Sequence, residues 1–377
     1  MANKEDFKLH RKVVEQIPEY IPGKSIADVK KEYKLSDVIK LASNENILGA
    51  PKNVRQAIID SLDNLHIYPD PASTTLREKL AQKLDVEVGN LIVGSGSDEI
   101  ITMISHAFLH RNEEVIMPWP SFIRYLHNAL IMEAETKFVN LRKDFKYDVD
   151  AILSAINYKT KFIYITSPNN PTGRIMTHDE IMLIIKNLPD GVVLIVDEAY
   201  REFVEDDEFP DMINIVKTHP DKNIILLRTF SKIYGLAGLR VGYAISRKPI
   251  INMLFRVKAP FNVNIVSQAA AYAALDDPDH VEKTRALMRK EKKYIYKRLL
   301  DNNINFVPSE TNFILLDTGM DGEEVFNRLQ ESGIIVRDMR MYKLDTYIRI
   351  TIGNREQNKK LLDNLFKILN QKTKENY

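Results

Sequence analysis

The chain contains the stretch Val192-Val193-Leu194-Ile195-Val196-Asp197-Glu198-Ala199-Tyr200, in which five apolar residues run directly into two acidic ones. A continuous apolar run of this length, rich in β-branched residues, is typical of a strand buried on both faces of a parallel sheet. Open parallel sheets bind ligands at the carboxyl ends of their strands. We therefore expect Asp197 and Tyr200 to lie at a binding site.

Similar apolar runs occur on both sides of this stretch, at residues 91–93, 162–165 and 223–227. Between them lie segments with helical periodicity, such as 98–109, and the sequence Thr177-His178-Asp179-Glu180, which is typical of a helix-starting capping box. Strands that alternate with helices predict an α/β architecture, with a mostly parallel central sheet flanked by helices.

The C-terminal part has a different pattern, which predicts a smaller α+β domain. Its segments are a long charged helix at 281–302, a strand at 312–316, an amphipathic stretch at 323–332, a second pair of strands and a final helix at 356–370. The segment before residue 46 has no strand set of its own, so we expect it to pack on this domain. The chain is thus predicted to form a large domain of residues 47–275 and a small domain of residues 1–46 plus 276–377.

The composition excludes several classes of protein. The 377 residues carry a formal net charge of +1, which gives no field suited to nucleic acid or a membrane surface. The sequence has no cysteine, so disulfides, thiolate metal sites and cysteine nucleophiles are excluded. No segment reaches the roughly 20 apolar residues that a membrane span needs, and the N-terminus lacks a signal-like stretch. We expect a cytoplasmic protein with no resident metal, no nucleic-acid partner and no membrane contact.

Polar residues follow each of the four apolar runs, and their types complement one another. The run at 91–93 leads into Gly94-Ser95-Gly96-Ser97-Asp98-Glu99, whose glycines and helix start suit an anion. The other runs lead to Asn170, to Asp197 with Tyr200, and to Thr229-Phe230-Ser231-Lys232 with Arg240 nearby. Each signal is weak alone, since an Asp at a strand end is more often a helix cap and a single Lys is usually a surface residue.

Taken together, these side chains meet the needs of pyridoxal 5′-phosphate (PLP). The phosphate of PLP requires backbone donors and a cation, its phenolic oxygen requires hydrogen-bond donors, and its aldehyde requires an amine. Its ring nitrogen must stay protonated, and a buried carboxylate partner favours that state. The joint occurrence of these groups in one predicted sheet indicates a PLP site in which Lys232 carries the cofactor as a Schiff base.

The same residues give the chain a strong resemblance to a known family. It resembles the fold-type I, aspartate aminotransferase-like PLP enzymes, and within them most closely the histidinol-phosphate aminotransferase family. The resemblance covers nearly the whole chain. It is carried by Tyr20-Ile21-Pro22-Gly23-Lys24, Asn44-Glu45-Asn46, Tyr68-Pro69-Asp70, Gly96-Ser97-Asp98-Glu99, residues 168–173, Asp197-Glu198-Ala199-Tyr200, Ser231-Lys232, residues 235–240, Asn262-Val263-Asn264, Val336-Arg337-Asp338 and Ile348-Arg349-Ile350.

The resemblance implies a role for each matching residue. The implied catalytic residues are Lys232, which binds PLP and moves the substrate proton, Asp197, which partners the ring nitrogen, and Tyr200. Tyr200 and Asn170 match the donors to the phenolic oxygen. The other implied cofactor contacts are Ser97, Asp98, Ser231 and Arg240 at the phosphate, Thr229 beside them, Phe122 on the ring, and Tyr68, which reaches the partner subunit's cofactor in a homodimer.

The resemblance also implies substrate contacts at Tyr20, Asn46, Arg337 and Arg349. Several of these positions have a structural alternative. Arg337 would pair with Asp338, Tyr20 would pack beside neighbouring prolines, Asn46 would serve a turn, and Phe122 would belong to the core.

The implied function is an aminotransferase that moves an amino group from a small-molecule donor to a 2-oxo acid. The implied pair is histidinol phosphate and 2-oxoglutarate, because two arginines suit dianionic substrates in both half-reactions; such an enzyme serves histidine biosynthesis. The same fold also supports aromatic amino acid aminotransferases and decarboxylases of phosphorylated amino acids. A non-catalytic PLP-binding regulator is disfavoured, because only about 20 residues precede Tyr20, too few for a DNA-binding module.

Overall fold

The computed structural model describes residues 10–17, 19 and 24–375, with side chains through residue 371. In this part of the chain the α-helices are α1 (Ile26–Tyr33), α2 (Lys52–Ser61), α3 (Thr74–Leu84), α4 (Gly96–Phe108), α5 (Arg124–Ile131), α6 (Val149–Ala155), α7 (His178–Lys186), α8 (Met212–Thr218), α9 (Lys248–Val257), α10 (Ile265–Ala274), α11 (Pro278–Leu300), α12 (Gly322–Glu331) and α13 (Arg355–Glu375). None of the helices within the described residues is long and apolar enough to span a membrane.

The strands of the described residues form three sheets. They are β1 (Ile39–Lys40), β2 (Leu91–Gly94), β3 (Glu114–Trp119), β4 (Glu135–Asn140), β5 (Thr160–Thr166), β6 (Val193–Asp197), β7 (Ile224–Thr229), β8 (Gly242–Ser246), β9 (Asn305–Val307), β10 (Phe313–Asp317), β11 (Ile334–Ile335), β12 (Arg337–Asp338) and β13 (Tyr347–Thr351).

The central sheet has the strand order β2-β8-β7-β6-β5-β3-β4. Its strands run parallel except for β8, which is antiparallel to both β2 and β7. The predicted mostly parallel sheet flanked by helices is therefore confirmed, and the four predicted runs are β2, β5, β6 and β7. The sequence gives only a weak signal for β8, because Gly242-Tyr243-Ala244-Ile245-Ser246 lacks a continuous β-branched run.

Successive residues of β6 point alternately into two apolar cores, one on each face of the sheet. Leu194 and Val196 belong to the larger core, whereas Val193 and Ile195 pack into the core under α4, α5 and α9. Because both faces are covered, the whole run is apolar, and a polar side chain first occurs where the strand ends. That side chain is Asp197, whose position is fixed by the packing of the strand behind it.

The second structural unit is built on an antiparallel sheet with the order β12-β13-β10-β9, beside the short parallel pair β1-β11. Its longest helix, α11, begins a few residues before the predicted start. The side chain of Asp277 accepts a hydrogen bond from the backbone N–H of His280, and Pro278 occupies the first turn. These two residues explain the earlier start of α11.

The N-terminal segment is divided between the two units. Strand β1 pairs with β11 of the smaller unit. By contrast, Arg11 donates a hydrogen bond to the carbonyl of Ile131, the last residue of α5 in the large unit, at 2.8 Å, and pairs with Glu133, two residues after that helix, at 2.7 Å. The expectation that residues 1–46 pack together on the small domain thus needs correction for residues 10–17. The domain boundaries otherwise remain a prediction.

Candidate active site

A cavity of about 240 Å³ lies at the carboxyl edge of the central sheet, between the sheet and the smaller unit. It lies there because parallel strands present all their carboxyl ends on one edge. The structure brings together at this cavity the predicted residues Ser97, Asp98, Phe122, Asn170, Asp197, Tyr200, Thr229, Ser231, Lys232, Arg240, Arg337 and Arg349.

Asp197 is the buried acid of the cavity and is only 3% exposed. Its Oδ1 accepts a hydrogen bond from the backbone N–H of Ala199 at 3.0 Å, and its Oδ2 accepts one from the hydroxyl of Tyr125 at 2.8 Å. Burial raises the pKa of Asp197 to about 6, because desolvation disfavours the charged form, while these two donors oppose the shift. A cationic partner in the cavity would restore the ionised form.

Lys232 lies in the loop after β7 and lines the same cavity. Its Nζ donates a hydrogen bond to the carbonyl of Ser43 at 3.4 Å and lies 5.6 Å from the ring centroid of Tyr200. The hydroxyl of Tyr200 accepts a hydrogen bond from Asn44 Nδ2 at 3.0 Å, which leaves the hydroxyl proton of Tyr200 to serve as a donor. An amine and a phenol therefore face the same space.

The turn after β2 forms a cationic corner. Helix α4 begins at Gly96, whose φ of +80° is readily available to glycine alone, and a Cβ there would lie 2.7 Å from Nη2 of Arg240. Arg240 Nη1 in turn donates to the hydroxyl of Ser231 at 3.4 Å. The N-terminus of a helix attracts anions through its unpaired N–H groups and its dipole. With Arg240 and Ser231 beside it, this corner suits a phosphate.

The acidic side chain of Asp98 in this corner is directed to a cation. Its Oδ1 accepts a hydrogen bond from Nε of Arg124, the first residue of α5, at 2.6 Å. The carboxylate is therefore neutralised by a neighbour. Its negative charge would otherwise oppose an anion at the start of α4.

Two arginines form the wall of the cavity that belongs to the smaller unit. Arg337 on β12 and Arg349 on β13 are register partners in the antiparallel sheet. Arg349 is buried, donates from Nη2 to the carbonyl of Ala42 at 2.8 Å, and donates from Nη1 to Oδ1 of Asn170. Nη2 of Arg337 lies 3.8 Å from the sulfur of Met341. This wall is suited to anionic groups of a substrate.

The sequence as a whole matches a known family. Residues 36–365 match the family described as aminotransferase class I and II. The chain is 44% identical over 361 residues to the histidinol-phosphate aminotransferase of Caldicellulosiruptor saccharolyticus, a match that covers 96% of this chain and 100% of that protein. The chain belongs to the histidinol-phosphate aminotransferase family. The prediction of a PLP-dependent aminotransferase is thereby confirmed.

Two further histidinol-phosphate aminotransferases resemble the chain, one in sequence and one in fold. The protein from Brevibacillus brevis is 44% identical over 352 residues, covering 93% of this chain and 96% of that protein. The crystal structure of the histidinol-phosphate aminotransferase from Sinorhizobium meliloti, in complex with PLP, superposes with a TM-score of 0.88 at 24% identity, covering 97% and 99% of the two chains. That structural match confirms the fold class that the sequence predicts.

Two predicted site residues within the described part of the chain, Asn46 and Tyr68, do not line the cavity. Asn46 donates from Nδ2 to the carbonyl of Ile233 at 2.7 Å and accepts from the backbone N–H of Leu48 at 2.9 Å, so it serves a turn. The expectation that Asn46 lines the cavity is therefore corrected, because Asn44 lines the cavity instead. Tyr68 is 78% exposed and stacks on Phe261, with ring centroids 4.5 Å apart. Tyr20 lies outside the described residues.

Other residues of the aminotransferase site had not been singled out from the sequence. Tyr125 bonds Asp197, and Asn44 bonds Tyr200. Tyr125 lies in the first turn of α5, three residues after Phe122, but the sequence alone does not indicate that it reaches Asp197. Asn44 stands in the Asn-Glu-Asn stretch already noted. The sequence offers no comparable signal for the lining residues Met339, Met341 and Tyr342.

Proposed function

We propose that the chain transfers the amino group of histidinol phosphate to 2-oxoglutarate, with PLP bound in the cavity at the carboxyl edge of the sheet. The observation that carries this proposal is the meeting of Lys232, Asp197 and the paired arginines Arg337 and Arg349 at a single cavity. The family of the chain supports the amino-transfer chemistry, and the two arginines support a donor with a second anionic group.

The residues of the cavity fit PLP group by group. The carboxylate of Asp197, buried and raised in pKa, is suited to the protonated ring nitrogen. The phosphate fits the start of α4 with the backbone N–H groups of Ser97 and Asp98, together with the side chains of Ser231 and Arg240. Thr229 lines the cavity beside them, and its hydroxyl accepts from the backbone N–H of Ser231 at 3.1 Å.

Two donors remain for the phenolic oxygen of the cofactor. Asn170 uses its Oδ1 to accept from Arg349, so its NH₂ group is the part that donates into the cavity. Tyr200 accepts from Asn44 and has its own proton to donate. The ring of Phe122 lines the cavity and packs edge-on against Tyr125, with centroids 5.6 Å apart. This position suits an aromatic contact with the cofactor ring.

The bound cofactor would supply an electron sink that acidifies the Cα proton of the amino donor. The residues of the chain then have distinct tasks. Nζ of Lys232 would take the proton from Cα of the amino donor and hold it within the cavity. Asp197 keeps the ring nitrogen protonated, and Tyr200 holds the phenolic side in place. Arg349 and Arg337 fix the anionic ends of the substrate and so orient Cα toward Lys232.

We further propose that the enzyme acts as a homodimer in which Tyr68 reaches the phosphate site of the partner subunit. Tyr68 ends a strip of apolar side chains that are at least 47% exposed, which also contains Leu62, Leu65 and Ile67. Contiguous exposed apolar side chains mark interaction surfaces. A second copy of the chain would cover this strip, and Tyr68 does not line the cavity of its own chain.

The test is an assay of glutamate formation by the PLP-loaded protein with histidinol phosphate and 2-oxoglutarate. We expect turnover, a lower kcat/KM with phenylalanine or tyrosine as donor, and no release of CO₂. Lys232→Ala should abolish turnover, whereas Lys290→Ala, an exposed lysine on α11, should leave it unchanged. CO₂ release without glutamate would point to the decarboxylase alternative, and a preference for phenylalanine would point to an aromatic aminotransferase.

A further inference from the structure

Three buried hydroxyl groups form a row that begins at Asp197. The hydroxyl of Tyr125 donates to Asp197 Oδ2 at 2.8 Å and lies 2.9 Å from Oγ1 of Thr166. Thr166 Oγ1 lies 3.0 Å from Oγ of Ser121, and Ser121 lies 3.1 Å from Oδ1 of Asn169. All five side chains belong to residues that are at most 3% exposed. The row is therefore almost fully buried, and it meets the cavity at Asp197 and Thr166.

The two ends of the row accept hydrogen bonds. Asn169 uses both protons of its Nδ2 elsewhere, on the carbonyl of Pro120 and on Oγ1 of Thr172, each at 3.0 Å, so its Oδ1 is an acceptor. The ionised carboxylate of Asp197 is also an acceptor. Between these ends there are four contacts, but the three hydroxyls supply only three protons. One contact must therefore lack a proton while Asp197 is ionised.

A carboxylate is the stronger acceptor, so the ionised form of Asp197 draws the proton of Tyr125 toward itself. The contact without a proton then lies farther along the row, toward Ser121 and Asn169. When Asp197 is protonated, its own proton completes the set, and all four contacts are made with every hydroxyl pointing toward Asn169. The direction in which the hydroxyls of the row donate their hydrogen bonds thus depends on the charge of Asp197.

We propose that Tyr125 is a positioning residue that holds Asp197 in its ionised form and in a fixed direction toward the cavity, with Thr166 and Ser121 supporting it. This inference deepens the proposed function and rests on it, since it concerns the acid assigned to the ring nitrogen of PLP. Tyr125 does not line the cavity, so it acts through Asp197. Ser121 stands directly before Phe122, and the row therefore links the carboxylate to the loop that presents this ring.

The surroundings make the donor from Tyr125 important. The charged and titratable groups around Asp197 are Glu198 on its own chain segment, Lys232 after β7, Tyr125 on α5, Tyr164 on β5 and the buried Tyr147. Glu198 disfavours the ionised form, whereas Lys232 and the hydrogen bond from Tyr125 favour it. In a buried site of low polarity, the loss of one donor to a charged group has a large effect.

The experiment measures PLP binding to the cofactor-free protein between pH 5 and 8. Trp119, the single tryptophan of the chain, ends β3 directly before the Pro120-Ser121-Phe122 loop, so its fluorescence reports binding. Binding should weaken at low pH as Asp197 takes up a proton. We call this loss of PLP affinity at low pH the acid limb. In Tyr125→Phe, which removes the donor, the acid limb should move to higher pH by about one to two units. Titrations of PLP itself are common to all variants and cancel in the comparison.

Tyr164→Phe is the matched control. Tyr164 stacks on Tyr125 with ring centroids 4.3 Å apart and is equally buried, but its hydroxyl bonds neither Asp197 nor Thr166. Its acid limb should coincide with that of the unchanged protein. An acid limb in Tyr125→Phe that also coincides with that of the unchanged protein would overturn the inference. If the protein without any substitution bound no PLP at any pH, that result would instead overturn the proposed function.

A second pair of variants covers the case in which Tyr125→Phe does not fold. Thr166→Val removes the hydroxyl that donates to Tyr125, whereas Thr166→Ser keeps it. We expect a smaller shift of the acid limb in the same direction for Thr166→Val and none for Thr166→Ser. Equal acid limbs in these two variants would contradict the role of the row. A purely structural role of the row would lower the melting temperature without moving the acid limb.

Discussion

Arg337 and Arg349 lie directly opposite each other on the antiparallel strands β12 and β13, and both side chains line the cavity. Like charges in opposite positions of a strand pair destabilise it. An anion bound between the two guanidinium groups removes this penalty. The smaller unit therefore presents a site that favours a substrate with strong negative charge.

The second arginine should determine the preference for a phosphorylated donor. We expect Arg337→Gln to raise KM for histidinol phosphate about tenfold or more, since one charge-assisted hydrogen bond is lost, with little change for phenylalanine. Steady-state kinetics with the two donors measure this. Arg340→Gln is the control, because Arg340 is paired with Glu323 and Asp338 outside the cavity. An equal rise of KM for both donors would show that Arg337 does not bind the phosphate of histidinol phosphate.

The turn at Gly96 should be essential for the phosphate corner. In Gly96→Ala the new Cβ would lie 2.7 Å from Nη2 of Arg240, and the φ of +80° would be strained for alanine. We expect PLP affinity of the cofactor-free protein to fall about tenfold or more, since the guanidinium must move. Gly89→Ala is the control, because its Cβ would meet only the flexible side chain of Lys248 at 3.4 Å or more. PLP binding titrations that give equal affinities for Gly96→Ala and Gly89→Ala would contradict the prediction.

The sequence predicts the parts of the site that depend on strand ends. Each of these parts follows an apolar run; they are Asp197, Asn170, Thr229 and Lys232. The sheet places these runs side by side, independently of the conformation of the loops. By contrast, Tyr125 reaches Asp197 from a helix on the face of the sheet, and this contact depends on how α5 packs. Asn44 comes from a segment of the smaller unit. Its distance from Tyr200 follows from the docking of the two units, which local patterns do not encode.

The buried acid should destabilise the cofactor-free protein near neutral pH. The pKa of Asp197 is about 6 in the folded chain against an ordinary value of 3.8, so folding favours its protonated form. Its contribution to stability is therefore present at low pH and is lost as the pH rises from about 4 through 6, by about 3 kcal/mol in total. We expect Asp197→Asn to raise the melting temperature at pH 7.5 but hardly at pH 4. A difference that is the same at both pH values would refute this account.

The proposed homodimer gives a complementation test. Lys232→Ala and Tyr68→Ala should each impair turnover, the first in its own site and the second in the site of the partner subunit. A dimer that contains one chain of each type has one site with both residues intact. After equal mixing under conditions that exchange subunits, we expect about a quarter of the original activity to return. If each site used Tyr68 of its own chain, mixing would restore nothing, and a monomer in sedimentation experiments would exclude the arrangement.

Arg349 holds two oxygens of the protein itself, the carbonyl of Ala42 and Oδ1 of Asn170. These oxygens act as internal competitors, so the affinity of an incoming carboxylate is the difference between its bonds and those it displaces. The exchange also reaches the reacting amine. Ala42 is followed by Ser43 and then by Asn44. The carbonyl of Ser43 accepts a hydrogen bond from Lys232, and the side-chain amide of Asn44 donates one to Tyr200. Anion capture at one end of the cavity is therefore mechanically linked to the segment that restrains the lysine at the other.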